Sequence, residues 1–495
     1  MTAVTEVLPI ARRLRDLAAA HPDAPAVTAV AIGGAERTLS WQQLDLRSNQ
    51  LARVFEARGI GPGARVAIEL ANSAELVLSV LAAWKVGGVP VPMRWDLPEW
   101  ERSRLLDVVA PQLTIRGDDL GALDAEADAQ GTEPLPDVIG PQLNGICSSG
   151  STGMPKVILA DRPAVWTPES SEPFATSWGP IARPQTILVP APMYHTNGFS
   201  TLHTMLGGDR LVLLEKFDAE LVVDLVERHR ITTFTATPTM LQRIARVPDI
   251  DARDLSSIEW ILQGAAVIPP ALVHRWFELI GPTRVVMAYG MTEALGLTAL
   301  RGDEWLEHPG SVGRGYRETE VRITGVDGRE LPAGEIGEIF LRSPTTGFYT
   351  YLGGAPLLPT TEDGFGTAGD LGYVDEDGYL YIADRRIDLI ISGGANVYPA
   401  EVESALAEHP GIADVVVIGL SDAEWGKRVH AIVQATDPSS PPSEADVIRY
   451  AKERLAAYKV PKTVELVDEI PRSAATKVSR SALVTEREPA AGSSQ

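Results

Sequence analysis

The chain is predicted to be α/β, with a large N-terminal domain of parallel-type sheets flanked by helices, a small β unit, and a small α+β C-terminal domain. Three observations predict it. From about residue 38 to residue 300, short apolar runs alternate with segments of helical period. Asp-Gly turns then punctuate short strands, and helix and strand patterns resume after about residue 389. A chain of 495 residues, 44% hydrophobic and 22% charged, has the composition of a globular protein and is long enough for more than one core.

The first strand of the pattern is 65–70, followed by a helix over 75–84 and an extended piece over 89–92. Residues 117–140 turn acidic and rich in Ala, Asp and Pro, which reads as a solvated connection or a poorly ordered lid without chemistry. The alternation returns with strands at 186–189, 232–235, 258–262 and 284–287, and helices at 218–229, 238–245 and 269–279. In parallel sheets of this kind ligands bind beyond the carboxyl ends of the strands. After Gly310 the turns Asp327-Gly328, Asp363-Gly364 and Asp377-Gly378 predict hairpins. A helix over 400–408, strands over 414–419 and 429–434, a helix over 443–457 and a strand near Val464 complete the pattern, and the polar tail 486–495 is predicted to be disordered.

Charge and cysteine content narrow the function. Against 44 Lys and Arg stand 66 Asp and Glu, a net charge of −22, which repels nucleic acid; any anionic ligand must be met by a local donor cluster. The single cysteine, Cys147, excludes an intramolecular disulfide and points to a cytoplasmic compartment. The N-terminus lacks a basic start and apolar run, and the longest apolar stretch, 76–93, is broken by Ser79, Lys85, two glycines and two prolines, so no membrane span is expected.

Five segments can carry chemistry. Cys147 to Lys156 (CSSGSTGMPK) packs hydroxyls, backbone N–H groups and one cation into a single turn, the donors a polyphosphate needs. It is not a Walker A loop, which ends Gly-Lys-Ser/Thr. By composition alone it would be a surface linker. Ala288 to Glu293 (AYGMTE) follows a strand and offers a ring for stacking, a hydroxyl for phosphate and a carboxylate for Mg²⁺. Thr367 to Asp370, Asp384-Arg385, and Pro471 to Lys477 are individually ordinary loop charges.

In this order and at these separations the segments resemble the adenylate-forming superfamily of acyl- and aryl-CoA synthetases, adenylation domains and luciferase, over roughly residues 10–485. The family's phosphate loop is matched by Ser148, Ser149, Gly150, Ser151, Thr152, Gly153, Met154, Pro155 and Lys156. Its Y-G-x-T-E is matched by Tyr289 to Glu293, its T-G-D by Ala368-Gly369-Asp370, and its following arginine by Arg385. Its hinge-region stretch is 393–403, its late catalytic lysine is Lys477, and Gly264-Ala265-Ala266 resembles the turn along the adenine. Pro192 to His195 resembles the segment whose histidine lies beside the acyl pocket.

The resemblance implies a division into an ATP- and acid-binding domain over 1–385 and a mobile lid over 386–495 that carries Lys477. It implies ATP, Mg²⁺ and CoA as reactants. The carboxylate attacks the α-phosphorus of ATP, pyrophosphate leaves, and a thiol then takes the acyl group. Lys477 would bridge carboxylate and α-phosphate. Thr292 and the loop Ser148 to Thr152 would hold phosphates, Gly290 would accompany Tyr289 at the nucleotide, and Glu293 with Thr152 would hold the metal. Gly393 and Gly394 would line the thiol channel. His195 would gate or orient the acyl group, or be an ordinary packed imidazole. Amino-acid-activating relatives place Asp where Asn197 stands, so an uncharged, apolar or aromatic acid is expected, with Asn197, Phe199, Gln263, Gly264 and Met291 as walls. Ala368, Thr476, Val157 and Ile387 depart from the family pattern, the last at the swivel. The readings to weigh against CoA ligation are acyl transfer to a phosphopantetheinyl carrier protein or an amine, and a nucleotide-binding scaffold that has lost catalysis.

Overall fold

The structure is a computed structural model that describes residues 6–149, 155–344, 346–385, 388–392, 395–422, 425–472 and 478–488. The chain divides into two compact units: Met1–Gly264 with Trp276–Leu295 and Thr345–Leu357, and Ala265–Arg275 with Gly296–Pro344 and Leu358–Gln495.

In the first unit seven strands lie side by side in the order Val285–Gly290, Trp260–Gln263, Thr233–Ala236, Thr186–Val189, Arg210–Leu214, Pro25–Val30 and Glu36–Ser40. All pairings are parallel except the last. Parallel strands bring their carboxyl ends to one edge, and the loops after Val189, Gln263 and Gly290 therefore emerge together. A second parallel sheet orders Val89–Pro92, Arg65–Glu69 and Leu113–Arg116. A third, antiparallel, orders Tyr349–Leu352, Pro155–Ala160 and Gly145–Ser149.

Helices cover these sheets. Helix Ala74–Lys85 is apolar around nearly its whole circumference and is buried on all sides, as a helix without a polar face must be. Helix Trp41–Ala57 starts at a capping box in which Ser40 and Gln43 exchange hydrogen bonds, satisfying two otherwise orphaned N–H groups. Between these helices lies a buried charge: the Lys85 ammonium donates to Asp45 Oδ1 at 2.7 Å and to Asn49 Oδ1 at 2.6 Å. Burial lowers its pKa to about 8 despite the Asp45 carboxylate.

In the second unit Glu320–Thr324, Gly337–Arg342, Asp370–Val374 and Leu380–Arg385 form an antiparallel sheet, the predicted β unit. Gly328, Gly364 and Gly378 all take positive φ at its Asp-Gly turns. In another sheet Gly426–Ala435 pairs antiparallel with Ile412–Asp422 and parallel with Thr463–Val467, with helices Pro399–Ala407 and Glu444–Lys452 contributing to its core.

Three expectations need correction. The acidic stretch 117–140 holds helix Leu120–Asp128, in which Leu123 and Ala127 are buried. Its acidic side pairs with arginines, Arg47 with Asp124 and Asp128 and Arg58 with Glu126, at 2.6–2.8 Å. Two inward residues one turn apart are too short a stripe for composition to reveal. The helix expected over 443–457 stops at Lys452. At the start of the tail, residues 486 and 487 close helix Arg480–Arg487, and Glu488 accepts hydrogen bonds from the N–H and hydroxyl of Ser421.

Candidate active site

Strand Val285–Gly290 runs three residues past its predicted end, so Tyr289 and Gly290 are its last two positions. A turn follows in which the Ala294 N–H donates to Met291 O at 3.0 Å, presenting Met291, Thr292 and Glu293, all half-buried, at the strand's end. The Thr292 hydroxyl lies 2.9 Å from that of Thr196, the first residue of a short helix that follows the strand Thr186–Val189. The Glu293 carboxylate accepts a 2.7 Å hydrogen bond from the Tyr351 hydroxyl. The Lys156 ammonium stands 5.0 Å from the centroid of the Tyr351 ring. One tyrosine thus links the carboxylate to the phosphate-loop lysine. Burial, reinforced by Glu293, pushes the Tyr351 phenol well above its ordinary pKa and keeps it a donor.

The loop after Val189 is held from below. Buried Asn72 donates to Ala191 O at 2.9 Å and Leu214 O at 3.1 Å, and accepts from Met193 N at 2.8 Å. His195 stands immediately before helix Thr196–Phe199, half-buried, its ring 4.7 Å from that of Tyr194. Gly198 allows this helix to press on the loop, because a Cβ there would fall 2.4 Å from Pro192 O. Asn197 is half-buried. Phe199 is 3% exposed and meets Trp84 edge-on at 6.0 Å. Gln263 is buried at the carboxyl end of its strand, with Nε2 3.4 Å from Gly264 O.

Cys147 pairs with Val157 in the hairpin leading to the phosphate loop and packs with Val157 and Leu352. Burial pushes its thiol up to about 12, which suits the expected small apolar residue. Backbone pairing of Ser148 with Lys156 and Ser149 with Pro155 brackets the loop. Gly150, Ser151, Thr152, Gly153, Ile387, Gly393, Gly394, Thr476 and Lys477 lie outside the described residues.

Ala265, Ala266, Asp370 and Arg385 belong to the second unit. Ala265 holds φ +73°, a left-handed conformation that costs a residue with a Cβ about 1 kcal/mol. Ala266 is exposed. Asp370 is buried at the start of its strand and faces Arg385 in register. The preceding turn is built by buried Thr367, which donates to Glu338 Oε1 and accepts from Gly369 N, both at 3.0 Å. Gly369 takes φ +80° there, whereas Ala368, the departure from the family pattern, is exposed. Tyr351, Thr196 and Asn72 escaped sequence analysis; only the alternation of Tyr349 and Tyr351 signals a strand with one aromatic face.

The family model for the AMP-binding enzyme matches residues 14–141 and 143–352, and that for its C-terminal domain matches residues 401–477. The chain belongs to the AMP-binding enzyme family. Among its relatives in this family is a feruloyl-CoA synthase of an Amycolatopsis species, 34% identical over 479 residues, covering 92% of this chain and 94% of that one. A fatty acid–[acyl-carrier-protein] ligase of Streptomyces coeruleorubidus is 31% identical, covering 90% and 91%. The o-succinylbenzoate CoA synthetase of Bacillus subtilis, solved with its acyl-adenylate intermediate, superposes with a TM-score of 0.80 at 28% identity, over 97% of this chain and 98% of that one. The same enzyme solved with ATP and magnesium gives 0.80 over 97% and 100%.

Proposed function

We propose that this AMP-binding enzyme activates a carboxylic acid as its acyl-adenylate, releasing pyrophosphate from ATP, and then transfers the acyl group to the thiol of CoA. The observation that carries the reading is the linked set Thr196–Thr292 and Glu293–Tyr351–Lys156 at the carboxyl edge of the parallel sheet. A carboxylate is a poor electrophile, and adenylation builds charge on phosphoryl oxygens that fixed donors stabilise. Thr292, Ser148 to Thr152 and Lys156 serve the phosphates in this proposal, Tyr289, Gly290 and Gly264 to Ala266 the adenine, and Asp370 and Arg385 the ribose side. Glu293 is a hard oxygen donor held in place by Tyr351, chemistry that fits Mg²⁺, which would neutralise the leaving pyrophosphate.

Lys477 acts in the first half-reaction and Gly393 and Gly394 admit the thiol in the second, with 1–385 and 386–495 as the two working domains. The acid is apolar or aromatic, bounded by His195, Asn197, Phe199, Gln263 and Met291. The relatives that are named CoA synthetases support CoA as acceptor, and the carrier-protein ligase supplies the competing arm of the assay. None of the described helices is long and apolar enough to cross a membrane, and a cytoplasmic location completes the proposal. The test is acid-dependent pyrophosphate release from ATP over a panel of carboxylic acids, with thioester product measured with CoA and with a holo carrier protein. Release with some acid and thioester with CoA is expected; no release with any acid overturns the proposal.

A further inference from the structure

The lysine proposed for adenylation stands at position 477, and the described chain on either side of it is fastened by an arginine. Upstream, Arg472 donates two hydrogen bonds to Asp414, from Nε to Oδ2 and from Nη2 to Oδ1, both 2.7 Å. Downstream, Arg480 opens the helix Arg480–Arg487 and places Nη2 2.7 and 2.8 Å from the two carboxylate oxygens of Glu403. Its Nη1 donates to Asp388 Oδ2 at 3.2 Å and its Nε to Val417 O at 3.3 Å. Asp414 and Val417 lie on one strand, Ile412–Asp422, about 10 Å apart along it at strand rise. That strand ends its sheet, and Glu403 also accepts from Val417 N at 2.7 Å, so the Arg480–Glu403 pair satisfies both main-chain groups of Val417.

Guanidinium suits such a fastening, because its planar fork fixes distance and angle together where an ammonium fixes only distance. The side chains of Arg472, Asp414, Arg480, Asp388 and Glu403 are 18–26% exposed, so solvent screens these pairs less than it screens surface salt bridges. The neighbouring elements have other supports. Leu483 is buried in the core of Val416, Ile418 and Leu420, and at the far end of its helix Arg487 holds Glu465 at 2.6 and 2.9 Å. Segment 388–403 has its own hairpin, Ile390–Ser392 against Ala395–Val397, and buried Val402. What remains for the two arginines is to fix the ends of residues 473–479. A lysine reaches its target on a flexible four-carbon stem, so precision must come from the backbone, and misplacing a reacting group by about 1 Å costs on the order of 10²-fold in rate.

We infer that Arg472 and Arg480 are positioning residues that hold the two ends of the segment bearing Lys477, so that its ammonium is delivered in register for adenylation. The inference rests on the proposed reaction and on Lys477 as its adenylating lysine. Each arginine acts through Lys477 and not by contact with substrate. Thioester formation does not use Lys477 in the proposed reaction, so the two half-reactions should respond differently to loss of either arginine.

The test compares Arg472→Gln, Arg480→Gln and Arg480→Lys with the wild type and with Arg487→Gln, which loosens the far end of the same helix. Two rates are read for each: acid-dependent ATP–pyrophosphate exchange, and thioester formation with CoA from chemically prepared acyl-adenylate. Melting temperatures are taken alongside. Exchange is expected to fall about 10- to 100-fold in Arg472→Gln and Arg480→Gln, while thioester formation stays near the wild-type rate. Arg480→Lys keeps a cation between Asp388 and Glu403 without the fork and should recover part of the exchange. Arg487→Gln should lower the melting temperature about as much as Arg480→Gln and leave the ratio of the two rates unchanged. Unchanged exchange in both glutamine variants, parallel loss of both rates, or an equal change of ratio in Arg487→Gln overturns the inference. Should Arg480→Gln fail to fold, Arg472→Gln and Arg480→Lys decide it. A wild type that releases no pyrophosphate with any acid, or a Lys477→Ala variant that exchanges as the wild type does, overturns the underlying reaction and the inference with it.

Discussion

Tyr351 holds the Glu293 carboxylate with its hydroxyl while its ring faces the Lys156 ammonium, and these two contacts can be separated by mutation. Tyr351→Phe keeps the ring and deletes one hydrogen bond to a charged group. Its kcat for adenylation should fall about tenfold, about 1.4 kcal/mol, with little change in melting temperature, and the apparent requirement for magnesium should rise. Tyr351→Leu removes both contacts and should fall further; equal activity in the two variants would show that the hydroxyl does nothing. Gly198→Ala drives a methyl into the Pro192 carbonyl and must displace backbone, so lost activity is expected with a lowered melting temperature. At this scale sequence motifs singled out Thr292, Glu293 and Lys156 as candidates, and the structure gives them contacts with Thr196 and Tyr351. They did not single out Tyr351 or Thr196, whose contacts arise only because segments distant in sequence meet.

Among elements, the loop after strand Thr186–Val189 depends on Asn72, a residue over a hundred positions away that satisfies three of its neighbours' backbone groups. Asn72→Leu leaves two buried carbonyls and an N–H unpaired. It should destabilise by about 2–4 kcal/mol in denaturant unfolding and depress kcat by loosening His195 and Thr196. Helices Trp41–Ala57 and Ala74–Lys85 are coupled by the Lys85–Asp45 contact. Lys85 has a folded pKa of about 8, below its unfolded value of 10.5, so the unfolded chain binds more protons between those limits. Unfolding free energy should accordingly gain a contribution as pH rises from about 8 to 10.5, and that gain should vanish in Lys85→Met, measured by urea melts across the range. Elements with a clear apolar period, such as Pro238–Ala245, were legible from sequence to the residue. Helix Leu120–Asp128 was not, because arginines on another helix, rather than its own composition, stabilise its acidic face.

For the whole molecule, the proposed reaction asks one lysine to act once and then withdraw. Lys477→Ala should cut ATP–pyrophosphate exchange by at least about 10²-fold while thioester formation from chemically prepared acyl-adenylate survives. Equal loss of both half-reactions would place the lysine in both. The α/β architecture and the small β unit could be anticipated because alternation and turn chemistry are properties of contiguous sequence. The approach of Lys156 and Glu293 to the same Tyr351, from segments far apart in the chain, could not be anticipated from any contiguous stretch.

The lone thiol at position 147 offers a gauge of motion that needs no engineering. It sits in the hairpin that leads to the phosphate loop, packed against Val157 and Leu352 and held protonated at neutral pH. An alkylating reagent reaches a half-buried, protonated thiol slowly, so the labelling rate reports on the packing around it. With no second cysteine to confuse the signal, a change of that rate with bound nucleotide would report directly on the strand that carries the thiol.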